Sequence, residues 1–222
     1  TNELKYLEEI EKVYINTIEE LGKNSSTGYL INDYAYFLAF YMHNTVKAQS
    51  VMDELVNMRG LNPFNLAEYK LLLGDILLIN GEEWNASLIY MQVENDFKND
   101  TIGYLAKYKN AKLLYYIGEF NWAKSILDIL KASTSKLISN DAMKLSAFIE
   151  ENTEDDSAQL ALKYYSKADF YKFQNKYDSA KYYLESIFVN YSWHSIIDDA
   201  IYSMADVCMK KRQYNEADSL YS

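Results

Sequence analysis

Residues 111–123 read Ala111-Lys112-Leu113-Leu114-Tyr115-Tyr116-Ile117-Gly118-Glu119-Phe120-Asn121-Trp122-Ala123, and this stretch decides the fold. A small residue opens it, a second follows twelve positions later, and a glycine turn with an aromatic just after it lies midway. An apolar helical run that stops at a glycine and restarts describes two antiparallel helices in contact, because a small residue on each lets the backbones approach. Three more segments repeat the spacing in phase: Gly74 with Ala86, Ala168 with Ala180, and Ala205 with Ala217. Their turns are Asn80-Gly81, Gln174-Asn175 and Lys211-Arg212, and Tyr177 and Tyr214 follow two of them. A bulky residue falls four positions after each second alanine, as Tyr90, Leu127, Leu184 and Tyr221. A fainter copy centres on Ala35/Tyr36 and Ala48, followed by Met52 and Leu55.

The small–small–aromatic spacing resembles the tetratricopeptide repeat (TPR), a helix–turn–helix of about 34 residues. Leu72-Leu73-Gly74, Tyr115-Tyr116-Ile117-Gly118-Glu119-Phe120 and Asn175-Lys176-Tyr177-Asp178-Ser179-Ala180 carry the resemblance. It implies an all-α fold, a right-handed α-solenoid of helix–turn–helix repeats with one inserted helix, stabilised by stacking of neighbours. Two positions depart from the pattern, with Asn110 and Lys167 where a leucine is usual before the small residue. Centres 74 and 111, and 168 and 205, lie 37 apart, whereas 111 and 168 lie 57 apart. The extra residues predict one helix, capped by Asn140-Asp141 and carrying the apolar spacing of Ala142 to Ile149, then an exposed acidic loop. Residues 3–22 show a further helical stripe through Leu4, Leu7, Ile10, Val13, Tyr14, Ile18 and Leu21. The expected organisation is an N-terminal helix and linker over 1–28, the end of a preceding repeat or a cap. Repeats 1–3 follow over 29–131, the inserted helix and acidic loop over 132–160, and repeats 4–5 over 161–222, the last truncated. Thr1 opens the chain and Ser222 ends it inside a helical pattern, which we read as a piece of a longer or processed chain.

Composition agrees and removes several classes. The 222 residues include 7 Gly and 1 Pro, where average usage gives about 16 and about 11. That scarcity argues against sandwiches and barrels, which need many turns; the single Pro63 is expected to close a helix pair. A hydrophobic content of 49% is too high for general disorder. The net charge of −10 offers no broad basic field, so nucleic acid is not an expected partner. No apolar run of about 18 residues occurs, so no membrane insertion is expected. Cys208 is the lone cysteine, at the helix position held elsewhere by Leu77, Leu114 and Tyr171, and reads as a small core hydrophobe.

No catalytic residue, cofactor or metal site emerges. The chain lacks G-x-G-x-x-G, G-x-x-x-x-G-K-[ST], H-E-x-x-H, C-x-x-C and G-x-S-x-G, and we expect a protein that is not an enzyme. His43 and His194 fall in turns and read as surface or capping residues. Glu150, Glu151, Glu154, Asp155 and Asp156 could gather Ca²⁺, but without an EF-hand loop they read as a solvated acidic segment. A narrower resemblance lies in Gly81-Glu82-Glu83-Trp84, Tyr116-Ile117-Gly118-Glu119-Phe120, Lys131-Ala132-Ser133-Thr134-Ser135-Lys136-Leu137 and Phe173-Gln174-Asn175-Lys176-Tyr177. These are similar to uncharacterised multi-repeat TPR proteins of the Bacteroidota cell envelope. That likeness implies a periplasmic or envelope location, with the cytoplasm as the alternative.

In a TPR superhelix the first helix of each repeat lines the concave face. Transferred by position, the resemblance places Asp33, Phe37 and Tyr41 there from the first copy, then Glu68, Leu71 and Asp75 from the second. Leu105, Tyr108, Lys112, Tyr115 and Tyr116 follow from the third, Tyr165, Asp169, Lys172 and Phe173 from the fourth, and Asp199, Tyr202 and Asp206 from the fifth. The candidate partner-binding residues are therefore Phe37, Tyr41, Tyr108, Lys112, Tyr115, Tyr116, Tyr165, Asp169, Phe173 and Tyr202. Tyr90, Tyr164, Tyr171, Tyr177, Tyr214 and Tyr221 are expected in the core instead. The implied function is a non-catalytic protein–protein interaction scaffold that binds a protein or peptide on its concave face. The alternative is an architectural segment of a larger envelope assembly whose groove its own chain covers.

Overall fold

The computed structural model describes residues 2–133, 135–153 and 159–221, and among these it contains twelve helices and no strand. The helices are α1 (Asn2–Leu21), α2 (Gly28–Phe40), α3 (Thr45–Val56), α4 (Pro63–Ile79), α5 (Glu83–Asp96) and α6 (Thr101–Ile117). They continue as α7 (Phe120–Leu130), α8 (Lys136–Glu151), α9 (Leu160–Phe173), α10 (Tyr177–Asn190), α11 (Ile197–Lys210) and α12 (Tyr214–Tyr221). Two compact units share them, Thr1–Asn110 and Ala111–Ser222, with the division inside α6. Each unit stacks helices in chain order, α1 through α5 in the first, and α7 on α8 and α9 through α12 in the second. This is the packing of a helical-repeat solenoid. The small residues set its spacing: Ala35, Ala48, Gly74, Ala86, Ala111, Ala123, Ala168, Ala180, Ala205 and Ala217 are all buried.

The turns explain how so few glycines suffice. In four hairpins the residue seven places after the small one has a positive φ: Gly81 (80°), Gly118 (88°), Asn175 (57°) and Arg212 (59°). The amide of the next residue then reaches back five positions, from Glu82 to Leu77, Glu119 to Leu114, Lys176 to Tyr171 and Gln213 to Cys208, each at 2.9 Å. This is the Schellman close of a helix, which satisfies the last carbonyls. The first hairpin, with His43 at φ 52°, takes one more residue, and Asn44 reaches Leu38 at 2.9 Å. Glycine adopts this backbone without strain and arginine does not. Arg212→Gly is therefore expected to raise stability by about 1 kcal/mol and Gly118→Ala to lower it by about the same, measured as shifts in urea midpoint.

Three local expectations change. Pro63 opens α4, where a missing N–H costs nothing, and Asn62 caps the helix by accepting from the Phe64 amide at 2.8 Å. Tyr214 and Tyr221 are 58% and 51% exposed; the position that faces a further helix in the inner hairpins faces outward on α12, where Tyr221 meets Tyr202 at 5.6 Å. Asn140-Asp141 lie inside α8, which begins at Lys136. The earlier start follows from packing, since Ile138 and Ser139 are already buried and Ser139 Oγ donates to the Lys131 carbonyl at 2.6 Å. Asn110, in place of a leucine, is buried and accepts from Ser87 at 2.8 Å.

One ion cluster pins α8 to α7. Asp128 accepts from Lys131 at 2.6 Å and from the buried Ser146 hydroxyl at 2.7 Å, with Lys124 at 3.3 Å. The hydrogen bond from Lys131, aided by Ser146 and Lys124, holds its carboxyl down to about 2 against an ordinary value of 3.8. A depressed carboxylate stabilises the fold above its unfolded value, and that contribution disappears as pH falls from about 4 to about 2. Asp128→Asn should remove part of an acid-unfolding transition in that window, read by circular dichroism, while leaving the neutral-pH spectrum unchanged. An identical acid titration for the variant would contradict the assignment. Of the acidic segment, Glu150 pairs with Lys124 at 3.5 Å; Glu154, Asp155 and Asp156 lie outside the described residues.

Candidate functional site

A cleft of ≈ 450 Å³ opens in the first unit across the first helices of three hairpins. Asn32, Asp33 and Tyr36 of α2 form one wall, and Thr101, Ile102, Leu105 and Lys109 of α6 form the other. Phe64, Glu68, Leu71, Leu72 and Asp75 of α4 lie between them. Helical periodicity explains the set. Phe64, Glu68, Leu71 and Asp75 follow one another at four, three and four residues, so one stripe of α4 faces the opening.

Charge and burial differ sharply across the cleft. Asp75 is buried, accepts from the Tyr90 hydroxyl at 2.7 Å and is gripped by Lys109 at 2.7 and 2.9 Å. Asp33 and Glu68 are exposed. Tyr36 and Phe64 present exposed rings, the first stacked on Phe40 at 4.5 Å and the second edge-on to Phe97 at 6.3 Å. Burial pushes the Tyr36 phenol up, with Tyr41 and Asp75 adding to it. Asn32 Oδ1 is buried and accepts no hydrogen bond among the described residues.

The ten residues assigned to a concave face divide between surface and interior. Tyr41 and Tyr202 are exposed, the latter by 68%, and Tyr108 is half-buried. Phe37 is buried under Tyr14 of α1 at 5.5 Å. The second unit draws five of them together. Tyr116 is 3% exposed, with Phe170 at 5.0 Å, Phe173 at 5.9 Å and the Lys112 ammonium 5.2 Å above its ring. Beside it the buried Tyr115 donates to Asp169 at 3.1 Å. Lys172 spans Asp169 at 3.8 Å, Asp206 at 3.2 Å and the Ser203 hydroxyl at 3.0 Å. Burial raises the Asp169 carboxyl, against the pull of Lys172 and Lys112, and raises the Tyr115 phenol well above its usual value. Tyr165 packs on Phe148 of α8 at 4.8 Å, and burial pushes its phenol up too.

Asn32, Tyr36, Phe64, Ile102 and Lys109 belong to the cleft but not to the transferred set. Phe64 and Ile102 sit four and three residues, about one turn, before the first transferred positions of α4 and α6, so extending the stripe toward each helix start would have found them. His194 is buried, and its Nδ1 accepts from the Ile196 amide at 3.1 Å before α11. Cys208 is buried, and burial raises its thiol. Among the described residues, no group of three or more His, Cys, Asp or Glu is placed to hold a metal. No described helix is long and apolar enough to cross a membrane.

No family profile matches the chain, and the curated proteins give no match. Solved structures do. BtubC (BKLC) from P. vanneervenii aligns at 14% identity over 99% of this chain and 85% of its own, with a TM-score of 0.41. The nearly identical TPR-like repeats of a Podosopora anserina protein assigned as a kinesin light chain align at 15% identity over 90% of this chain and 94% of theirs, at 0.43. A single-substitution variant of those repeats aligns at 15% identity over 90% and 93%, at 0.42. The chain is thus similar to TPR-like repeat structures.

Proposed function

We propose that the chain is a non-catalytic interaction scaffold that holds a polypeptide segment in the α2–α4–α6 cleft. One observation carries the reading: an open cleft with an apolar floor and exposed aromatic rims runs across the first helices of successive hairpins. Apolar surface left open in this way marks a place where another chain packs. Tyr41 and Tyr108, in the same unit, are included as flanking contacts. The envelope location stays with the family resemblance, and the binding reading does not depend on it.

A second reading applies to the second unit. Phe148 of the inserted helix lies on Tyr165, and α9 rings enclose Tyr116, so positions transferred from a concave face are filled by the chain itself. This favours an architectural role for that unit. A photo-crosslinking amino acid at position 64, compared with one at Trp84 on α5, tests both in the native cells. Crosslinks from position 64 to a different polypeptide, absent from position 84, are expected. Crosslinks from position 64 confined to the protein's own chain would replace the binding reading with the architectural one.

A further inference from the structure

We propose that the α2–α4–α6 cleft selects a lysine or arginine side chain set beside a bulky apolar one, an inference that rests on reading the cleft as a polypeptide site. Its lining holds three carboxylates against one ammonium. Lys109 and Asp75 satisfy each other, which leaves Asp33 and Glu68. Both are exposed, and neither forms a side-chain hydrogen bond or ion pair among the described residues. Both line the same cleft, Asp33 from α2 and Glu68 from α4, and both add to the burial that pushes the Tyr69 phenol up. Two unpaired carboxylates lining one cleft make it favour a bound cation over a bound anion.

The remaining walls fit the same ligand. Tyr36 and Phe64 offer exposed faces on which a guanidinium stacks or an ammonium rests. Leu71, Leu72 and Leu105 offer the adjoining apolar side chain a floor. A net charge of −10 opposes an acidic segment even before contact.

The probe is a surface-bound array of randomised heptapeptides, incubated with the full chain at low and at moderate salt. Retained peptides are expected to carry Lys or Arg next to Leu, Ile, Phe or Trp, with about tenfold preference over matched glutamine peptides, as a charge-assisted hydrogen bond supplies. The preference should weaken with salt and vanish in Asp33→Asn/Glu68→Gln, isosteric changes at exposed positions that leave helicity intact. Retained peptides that are neutral or acidic, or a basic preference that survives the double substitution, would overturn the cation assignment while leaving the cleft a polypeptide site. An array that retains nothing would overturn the site itself.

Discussion

Truncation of Tyr90 to alanine is expected to cost the first unit about 3–5 kcal/mol, the range for deleting a buried aromatic ring. Tyr90 is almost completely enclosed, and its hydroxyl donates to Asp75 at 2.7 Å. Its ring also sets what residue 74 can be. A Cβ built on Gly74 would stand 2.4 Å from Tyr90 Cε1, a distance that forces the ring to move. Gly74→Ala therefore trades a helix-propensity gain of about 1 kcal/mol against an overpacking cost of about 1–3 kcal/mol and should destabilise. With Tyr90 already truncated, the clash is gone and only the propensity gain remains. The same glycine substitution should then stabilise, by up to about 1 kcal/mol. Urea denaturation of the four members of this cycle, followed by circular dichroism, reads the change of sign. Additive effects would show that Gly74 is small for some reason other than the Tyr90 ring.

That cycle rests on a pair legible in the sequence, since Gly74 and Tyr90 lie at the repeat positions that predict contact. The hairpins are legible because packing two helices closely restricts one residue in each to Gly or Ala, and that restriction recurs with the repeat. The hairpin turns are legible as polar breaks, though not as a left-handed cap at Arg212, because an arginine side chain carries no signature of that backbone. Exposure is the poorly legible quantity. A periodic pattern gives the direction a residue faces along its own helix and says nothing of what stands opposite. Tyr116 and Tyr41 share a transferred face, yet α9 encloses the first and the second is open. Phe37 is covered by α1, whose stripe is plain in the sequence but whose docking face is not. Conversely, Tyr214 and Tyr221 occupy core positions of the pattern and remain outside.

Tyr116→Ala decides what that enclosure means. The ring meets Tyr115 at 5.7 Å as well as Phe170 and Phe173, and the Lys112 ammonium lies over it. Removing it deletes a core aromatic, worth about 3–5 kcal/mol with the cavity included, together with aromatic pairs worth about 0.5–1.5 kcal/mol each beyond their area. A nearest-neighbour stack passes such a loss to adjoining helices first. Amide exchange should therefore accelerate in α9 and α10 of the variant and stay unchanged in α2 through α4. Peptide retention by the first-unit cleft should also persist under conditions where α4 remains protected. The opposite pattern, with stability and exchange untouched but peptide retention lost, would return Tyr116 to an exposed binding face. The two outcomes separate because a side chain cannot both support its unit by several kcal/mol and stand free for a partner. At 3% exposure the packing role is the expected one.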